Sequence, residues 1–450
     1  MRRTLPADAA IFAVFFLESS ALGHWIPRIP DVKAGLGLDD AELGLALLCM
    51  PLGSLAGLAL AARTIERTGL KGGCRLFLPA WALLFLGPGL AGSLGALCAA
   101  LALVGVAAGM IETAMNTEAA REESASGRRI MSRCHGFWSL GSMVGALAGA
   151  AVAELGIGTG AHFLVAMPVV ALLGWIAASA LPAPVAGEGA KVPEAAADAP
   201  LFRLPARAIL PLCVMPLGLM MVEGAFIDWS AVFAREVLAA SPLAVGVVYA
   251  AFSLVMAATR LSGDAIATRF GDEAVVRASA AAAALGIAGF ALAPTTAVAF
   301  AFAALAGAGV AIVYPLAITA VAARPGRSPT DNVAAMNMVS FSAFLLAPPL
   351  IGFLSEATSL RIALLALVPF ALLTLALAGE VRLPVPGGAR VSRLKIGARG
   401  VRAGQRSVRS GTEAAVAASN RPSQTPESPP WTDDCSSPSA PAPSRPPPRR

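Results

Sequence analysis

The chain has 450 residues, of which 56% are hydrophobic and only 14% charged. Soluble domains carry roughly 25% charged residues, so this composition excludes a water-soluble enzyme or binding module and calls for lipid as part of the solvent. The formal charge of +6 is spread over loops and one tail rather than gathered on a face, which does not point to nucleic acid.

Apolar runs close to the ~20 residues that a bilayer core demands recur twelve times. They lie near 8–27, 42–62, 76–93, 95–117, 131–153, 161–181, 207–230, 243–262, 274–293, 297–322, 332–354 and 359–381. Met1-Arg2-Arg3 ahead of the first run reads as the start of a retained helix rather than a cleaved signal. Basic residues set the orientation. With the N-terminus inside, the inner loops hold Arg63, Arg67, Lys71 and Arg75, then Arg121, Arg128, Arg129 and Arg133, with Arg260, Arg269, Arg277, Arg324 and Arg327 beyond. The outer loops hold only Arg28, Lys33, Arg235 and Arg361, so both termini are expected in the cytoplasm of a multi-pass inner-membrane protein.

An internal repeat appears at a spacing of 202 residues: Gly44 matches Gly246, Arg67 matches Arg269, Gly69 matches Gly271 and Arg75 matches Arg277. Parallel halves of this kind mark transporters that work by alternating access. The expected organisation is a six-helix half over 1–181, a cytoplasmic linker over 182–206 and a second six-helix half over 207–381. Residues 382–450 are rich in Arg, Ser and Pro and end PAPSRPPPRR, a composition unable to bury a core and expected to be a disordered tail. The six cysteines are scattered, with no CxxC and no metal-ligand spacing.

Polar residues inside the apolar runs are the candidate site, because an ionisable side chain at membrane depth must face protein or a water-filled cavity. In the fourth run Gly105, Gly109, Glu112 and Asn116 follow at steps of four, three and four, which puts them on one helix face. The fifth run carries a polar stripe of His135, Ser139 and Ser142 beside a packing ladder of Gly141, Gly145 and Gly149. Glu18 stands mid-way along the first run, and Glu223 and Asp228 both fall on the seventh. A carboxyl in apolar surroundings is able to take up and release a proton, so Glu18, Glu112, Asn116 and Glu223 are candidates for proton or solute coupling. His135, Asp228, Tyr314 and Asn337 are candidate cavity-lining residues. For His135 and Asp228 a cap or interface anchor is the competing role. Asn337 is the repeat mate of His135. Trp25 and Trp229, at equivalent outer helix ends, read as interfacial belt residues. Arg260 and Asp264, spaced i, i+4, read either as a helix-end salt bridge or, with Arg269, as part of a cytoplasmic gate.

Several stretches carry a family resemblance: HWIPRIPDVKAGLGLDDAELGLALL, GMIETAMNTEAA, RIMSRCHGFWSLGSMVGA, and VEGAFIDWSAVFAREV followed by FSLVMAATRLSGD. With them the chain resembles a major facilitator superfamily transporter, and within it the bacterial YbjJ / rhizopine-transport (MosC-like) branch. More distantly, it is similar to fucose-type sugar–proton symporters. The superfamily's G-x-x-x-D-R-x-G-R-R loop is degenerate here, as Ala62, Glu66, Arg67, Gly69, Leu70 and Lys71, and it implies a gate role for Arg67. The resemblance implies an all-α, twelve-helix fold in two pseudo-symmetric halves. It also implies carboxylates on helices 1 and 4, where Glu18 and Glu112 stand.

No HExxH, P-loop or GxSxG pattern occurs, so no enzyme and no ATP-driven pump is expected. The reading is a cofactor-free, monomeric secondary transporter of a small polar solute, sugar- or cyclitol-like by resemblance and moved with protons. The alternatives are a proton-driven exporter of a metabolite or drug, which Ala146 after the central glycine of the ladder disfavours, and a transport-dead solute sensor. The orientation is tested with cysteines placed at Ala34, Ile157 and Ser126. The first two are expected to react with an impermeant maleimide in intact cells, and the third only after permeabilisation; reaction at 126 in intact cells inverts the topology.

Overall fold

Hydrocarbon offers no partner to a backbone N–H or C=O, so each spanning segment must pair its own, and a single segment does so only as a helix. The computed structural model describes residues 7–128, 130–182 and 205–382, which belong to one unit, and every regular element among them is helical. The linker expected over 182–206 and the tail expected over 382–450 lie, but for a few flanking positions, outside the described residues.

The first span, α1 (Ala7–Trp25), continues through a tight turn, Ile26–Arg28, into a short helix, Ile29–Leu36, which Gly37 ends at φ 65°. Asp39 caps the next helix: its carboxylate accepts the Glu42 N–H at 2.7 Å while the Glu42 carboxylate accepts the Asp39 N–H at 3.2 Å. The run Asp40–Leu90 is 51 residues long. At 1.5 Å per residue that is about 76 Å, far beyond the ~30 Å of a hydrocarbon core. Gly69 breaks it, at φ 70° and ψ 167°, a conformation open essentially to glycine alone. The pieces are α2 (40–68) and α3 (70–90).

The remaining spans are α4 (Leu94–Ser126), α5 (Met131–Glu154), α6 (Thr159–Ala180), α7 (Leu210–Val237), α8 (Pro242–Phe270), α9 (Asp272–Ala291), α10 (Thr296–Ala322), α11 (Asp331–Ala357) and α12 (Leu360–Val381). Eleven apolar helical runs among the described residues thus hold twelve spans, α1–α6 in one half and α7–α12 in the other. The upper end of the bundle is the one carrying the α1–α2 and α7–α8 connections; the lower end carries α2–α3 and α8–α9.

The repeat is visible in the backbone. Gly271, 202 residues after Gly69, turns between α8 and α9 at φ 79° and ψ 146°. It is visible between the halves too. A Cβ added to Gly44 on α2 would lie 2.8 Å from the Pro348 carbonyl oxygen and 3.1 Å from the Gly352 Cα, both on α11. Its repeat mate Gly246 on α8 meets Ala146 and Ala150 on α5, and these stand 202 residues before Pro348 and Gly352. The two contacts are the same contact, related by exchange of the halves.

Inside the first half, glycines again set the spacing. On α5, Gly141 lies against the Phe16 carbonyl of α1, Gly145 against that of Ser20 and Gly149 against that of His24. On α2 and α4, Gly53, Gly57, Gly105 and Gly109 leave room for one another's backbone. Gly145→Ala would drive a methyl group into the Ser20 carbonyl, whereas Gly95→Ala on α4 meets nothing within 4 Å. We expect the first to lose about 1–3 kcal/mol of stability by overpacking and the second to lose none, read as the midpoint of thermal unfolding in detergent.

Candidate functional site

Glu18 sits mid-way along α1 and is 2% exposed. Its carboxylate accepts the Trp138 indole N–H of α5 at 2.7 Å, and its backbone carbonyl accepts that of Trp81 on α3 at 2.9 Å. No cation pairs with it among the described residues. The nearby carboxylate of Glu112, on α4, interacts with it electrostatically. Glu112 is exposed, and its interaction with Tyr314 of the second half puts it at a cleft between the halves. Asn116 does not reach this carboxylate. Its amide donates instead to the Glu112 backbone carbonyl, at 2.9 Å.

Across the cleft, the Tyr314 hydroxyl of α10 donates to the Asn337 side-chain oxygen of α11 at 2.8 Å, and electrostatics link Tyr314 to Glu112. Asn337 is exposed, and with Pro329, Val333 and Ala334 it lines an open cavity of about 430 Å³ at the lower end of α11. Glu112, Tyr314 and Asn337 are therefore brought together around one cleft.

A second group forms the seam between α5 and α8. Arg260, on α8, donates to the Glu223 carboxylate of α7 at 3.0 Å, with 15% and 14% of the two side chains exposed. The same guanidinium donates to the Ser139 hydroxyl of α5 at 3.0 Å and, more weakly, to the Ala311 carbonyl of α10 at 3.4 Å. The Ser253 hydroxyl donates to the Ser139 carbonyl at 2.7 Å, and Ser142 and Tyr249 share a hydrogen bond of 2.8 Å. His135 lies close to Arg260 and packs edge-on against Phe15, with ring centroids 5.6 Å apart.

This corrects the expected Arg260–Asp264 pair. Asp264 is exposed and keeps its water, while the desolvated guanidinium takes the acid and hydroxyl that reach it from neighbouring helices. Trp25 and Trp229 are not belt residues: at 1% and 0% exposure they are core, Trp25 packing against Phe85. Asp228 is half-buried and has no hydrogen-bond or ion-pair partner among the described residues. Arg67 and Arg269 are exposed near the lower end. Arg269 lies over the Phe270 ring at 5.3 Å, and neither meets an acid among the described residues.

The upper end is sealed by a network that sequence reasoning passed over. Lys33 donates to Asp40 at 2.5 Å and to Glu236, at the end of α7, at 2.7 Å. The Ser355 hydroxyl donates to Asp40, and Glu356 accepts the Asp40 N–H at 3.3 Å, tying α2 to α11. Glu154 of α5 accepts the Leu243 N–H of α8 at 2.8 Å. The halves are thus joined at the top while the cleft opens at the bottom. The signal was available, since Lys33 and Glu236 are opposite charges in the equivalent outer connections of the two halves and Asp40 opens the helix after the first.

Twelve spans in two repeated halves, meeting around a polar cleft closed at one end, define a membrane transporter. Residues 11–344 match the Major Facilitator Superfamily, and the chain belongs to that family. It is 32% identical over 353 residues to an uncharacterized MFS-type transporter of Yersinia pestis, covering 78% of this chain and 89% of the relative. It is 28% identical over 369 residues to membrane protein MosC of Rhizobium meliloti, covering 80% and 86%. The crystal structure of the nucleoside transporter NupG superposes with a TM-score of 0.64 over 84% of this chain and 100% of that one, at 16% identity, which establishes the shared fold.

Removing one partner of a buried ion pair costs about 3–5 kcal/mol, because the other charge is left without compensation. Arg260→Met is therefore expected to lower stability by that order, and Arg260→Met combined with Glu223→Met to recover most of the loss. Chemical denaturation of the purified variants checks this, and a double variant no better than the single one would dissociate Glu223 from the pair.

Proposed function

We propose that the protein is a proton-coupled carrier of a small polar solute, sugar- or cyclitol-like, working by alternating access in a bacterial inner membrane. The observation that carries this reading is the placing of Glu18 and Glu112: two interacting carboxylates, one buried and one exposed at the cleft, neither with a cation beside it among the described residues. An acid held without a counter-charge at membrane depth is suited to carry a proton. The donors and acceptors at the cleft, Asn337 and Tyr314, suit a hydroxylated solute rather than an apolar one.

The basic loops support placing the lower end, with both termini, in the cytoplasm. On that placement the state described is inward-open, with Lys33, Asp40 and Glu236 as the closed outer gate. Arg67 and Arg269, equivalent in the repeat and unpaired with acids among the described residues, are positioned to close the lower end in the opposite state. The halves move as 1–181 and 207–381 about the linker, and one chain suffices, since each half completes the cleft of the other.

Binding is found by a thermal-shift screen of sugars, cyclitols and amino acids; a solute at a hundred times its Kd is expected to add about 2.7 kcal/mol. Coupling is read with Glu18→Gln and Glu112→Gln in vesicles. Uphill accumulation is expected to fail in each, while solute exchange, which needs no proton cycle, survives. Loss of exchange together with affinity would make the acid a solute ligand. Undiminished accumulation with wild-type pH dependence in the double variant would remove this pair from coupling.

A further inference from the structure

Five cysteines lie among the described residues, all as free thiols; Cys74, Cys134 and Cys213 are buried, and Cys49 and Cys98 half-buried. Cys49 is on α2 and Cys98 on α4, helices that both run from the upper end downward. Their register is fixed by the glycine seam: Gly53 lies against the Ala102 carbonyl and Gly57 against that of Val106, each pair 49 residues apart. One turn higher, the same offset pairs Cys49 with Cys98. The side chains agree with the backbone, since the Cys49 thiol, which donates to the Leu45 carbonyl at 3.4 Å, is near enough to the Cys98 thiol to interact with it.

Two features separate this pair from the other thiols. Helices whose backbones touch bring facing Cα atoms toward the roughly 4.4–6.8 Å that a disulfide spans. Cys98 is also the fifth residue of α4, about 6 Å below its start at 1.5 Å per residue. The pair therefore lies near the upper boundary of the apolar layer, where a lipophilic reagent meets it without opening the fold.

We propose that Cys49 and Cys98 are a redox-active dithiol, which an apolar disulfide oxidises to a bond that staples α2 to α4. One thiol loses its proton and attacks a sulfur of the reagent, forming a mixed disulfide and expelling one thiolate. The second thiol, deprotonated in turn, attacks the protein sulfur of that mixed disulfide and expels the other thiolate. Two S–H bonds are lost and one S–S bond is formed; the two electrons and two protons leave with the reagent, now two thiols. Both helices belong to one half, so the staple stiffens that half, including the helix whose Gly44 meets α11, without tying it to the other. The site stands apart from the cleft and does not depend on what the cleft carries.

The test treats the full chain in membrane vesicles with 4,4′-dithiodipyridine and reads the mass of the purified protein and of its peptides. In the wild type the Cys49 and Cys98 peptides are expected to lose two hydrogens between them, carry no pyridylthio group at either position, and appear as one cross-linked peptide restored by dithiothreitol, whatever adduct Cys435 takes. Cys49→Ala and Cys98→Ala are each expected to stop at the single pyridylthio adduct. The wild-type peptide map decides the question without the variants should either fail to fold. Pyridylthio adducts at both positions, no reaction at either, or a disulfide to any other cysteine overturns the proposal.

Discussion

Lipid tails are as apolar as leucine, so helices in a bilayer gain little by hiding leucine from them and must hold one another by close backbone approach. That constraint explains where this chain spends its glycines. Gly141, Gly145 and Gly149 let α5 rest on the carbonyls of α1, and the α2–α4 seam is built alike. Between the halves, the rule appears as two symmetry-related contacts, Gly44 on α11 and Gly246 on α5. Because these lie toward the upper end, they close the bundle there and leave the middle of the interface to be filled by polar groups.

The polar groups divide by how they are satisfied. Arg260, with five donors to place, draws on three helices besides its own: the Glu223 carboxylate, the Ser139 hydroxyl and the Ala311 carbonyl. Among the described residues, the Glu18 carboxylate rests on a single neutral donor, Trp138. Trp138 and Ser139 are neighbours in sequence, so α5 touches the acid of one half and the cation of the other within one step of its chain. Any rocking of the halves has to strain or break the Arg260–Ser139 bond, since its two residues belong to different halves.

Much of this was legible in the sequence, and what was not has a common cause. Length and hydropathy located twelve spans because a hydrocarbon slab imposes one period on every segment; the 202-residue offset was legible because equivalent glycines must recur where equivalent backbones touch. Glu18 and Glu112 stood out as charges against an apolar background. Arg260 stood out too, but its partner did not. Helical spacing proposes Asp264, four residues away, whereas Glu223 is 37 residues distant and reaches Arg260 only through the packing of α7 on α8. Trp25 and Trp229 misled for the complementary reason: position along a helix gives depth but not which side of it faces lipid.

The Arg260–Glu223 pair has an electrical consequence. Carrying one elementary charge across a membrane is worth about 2.3 kcal/mol per 100 mV. Arg260 and Glu223 are opposite charges in the same half, 3.0 Å apart, so any displacement that carries both does almost no work against the field. With that pair electrically silent, the voltage acts on the other charges of the chain and on any charge borne by the solute. The two charges that tie α7 to α8 are thus ones the membrane potential hardly feels.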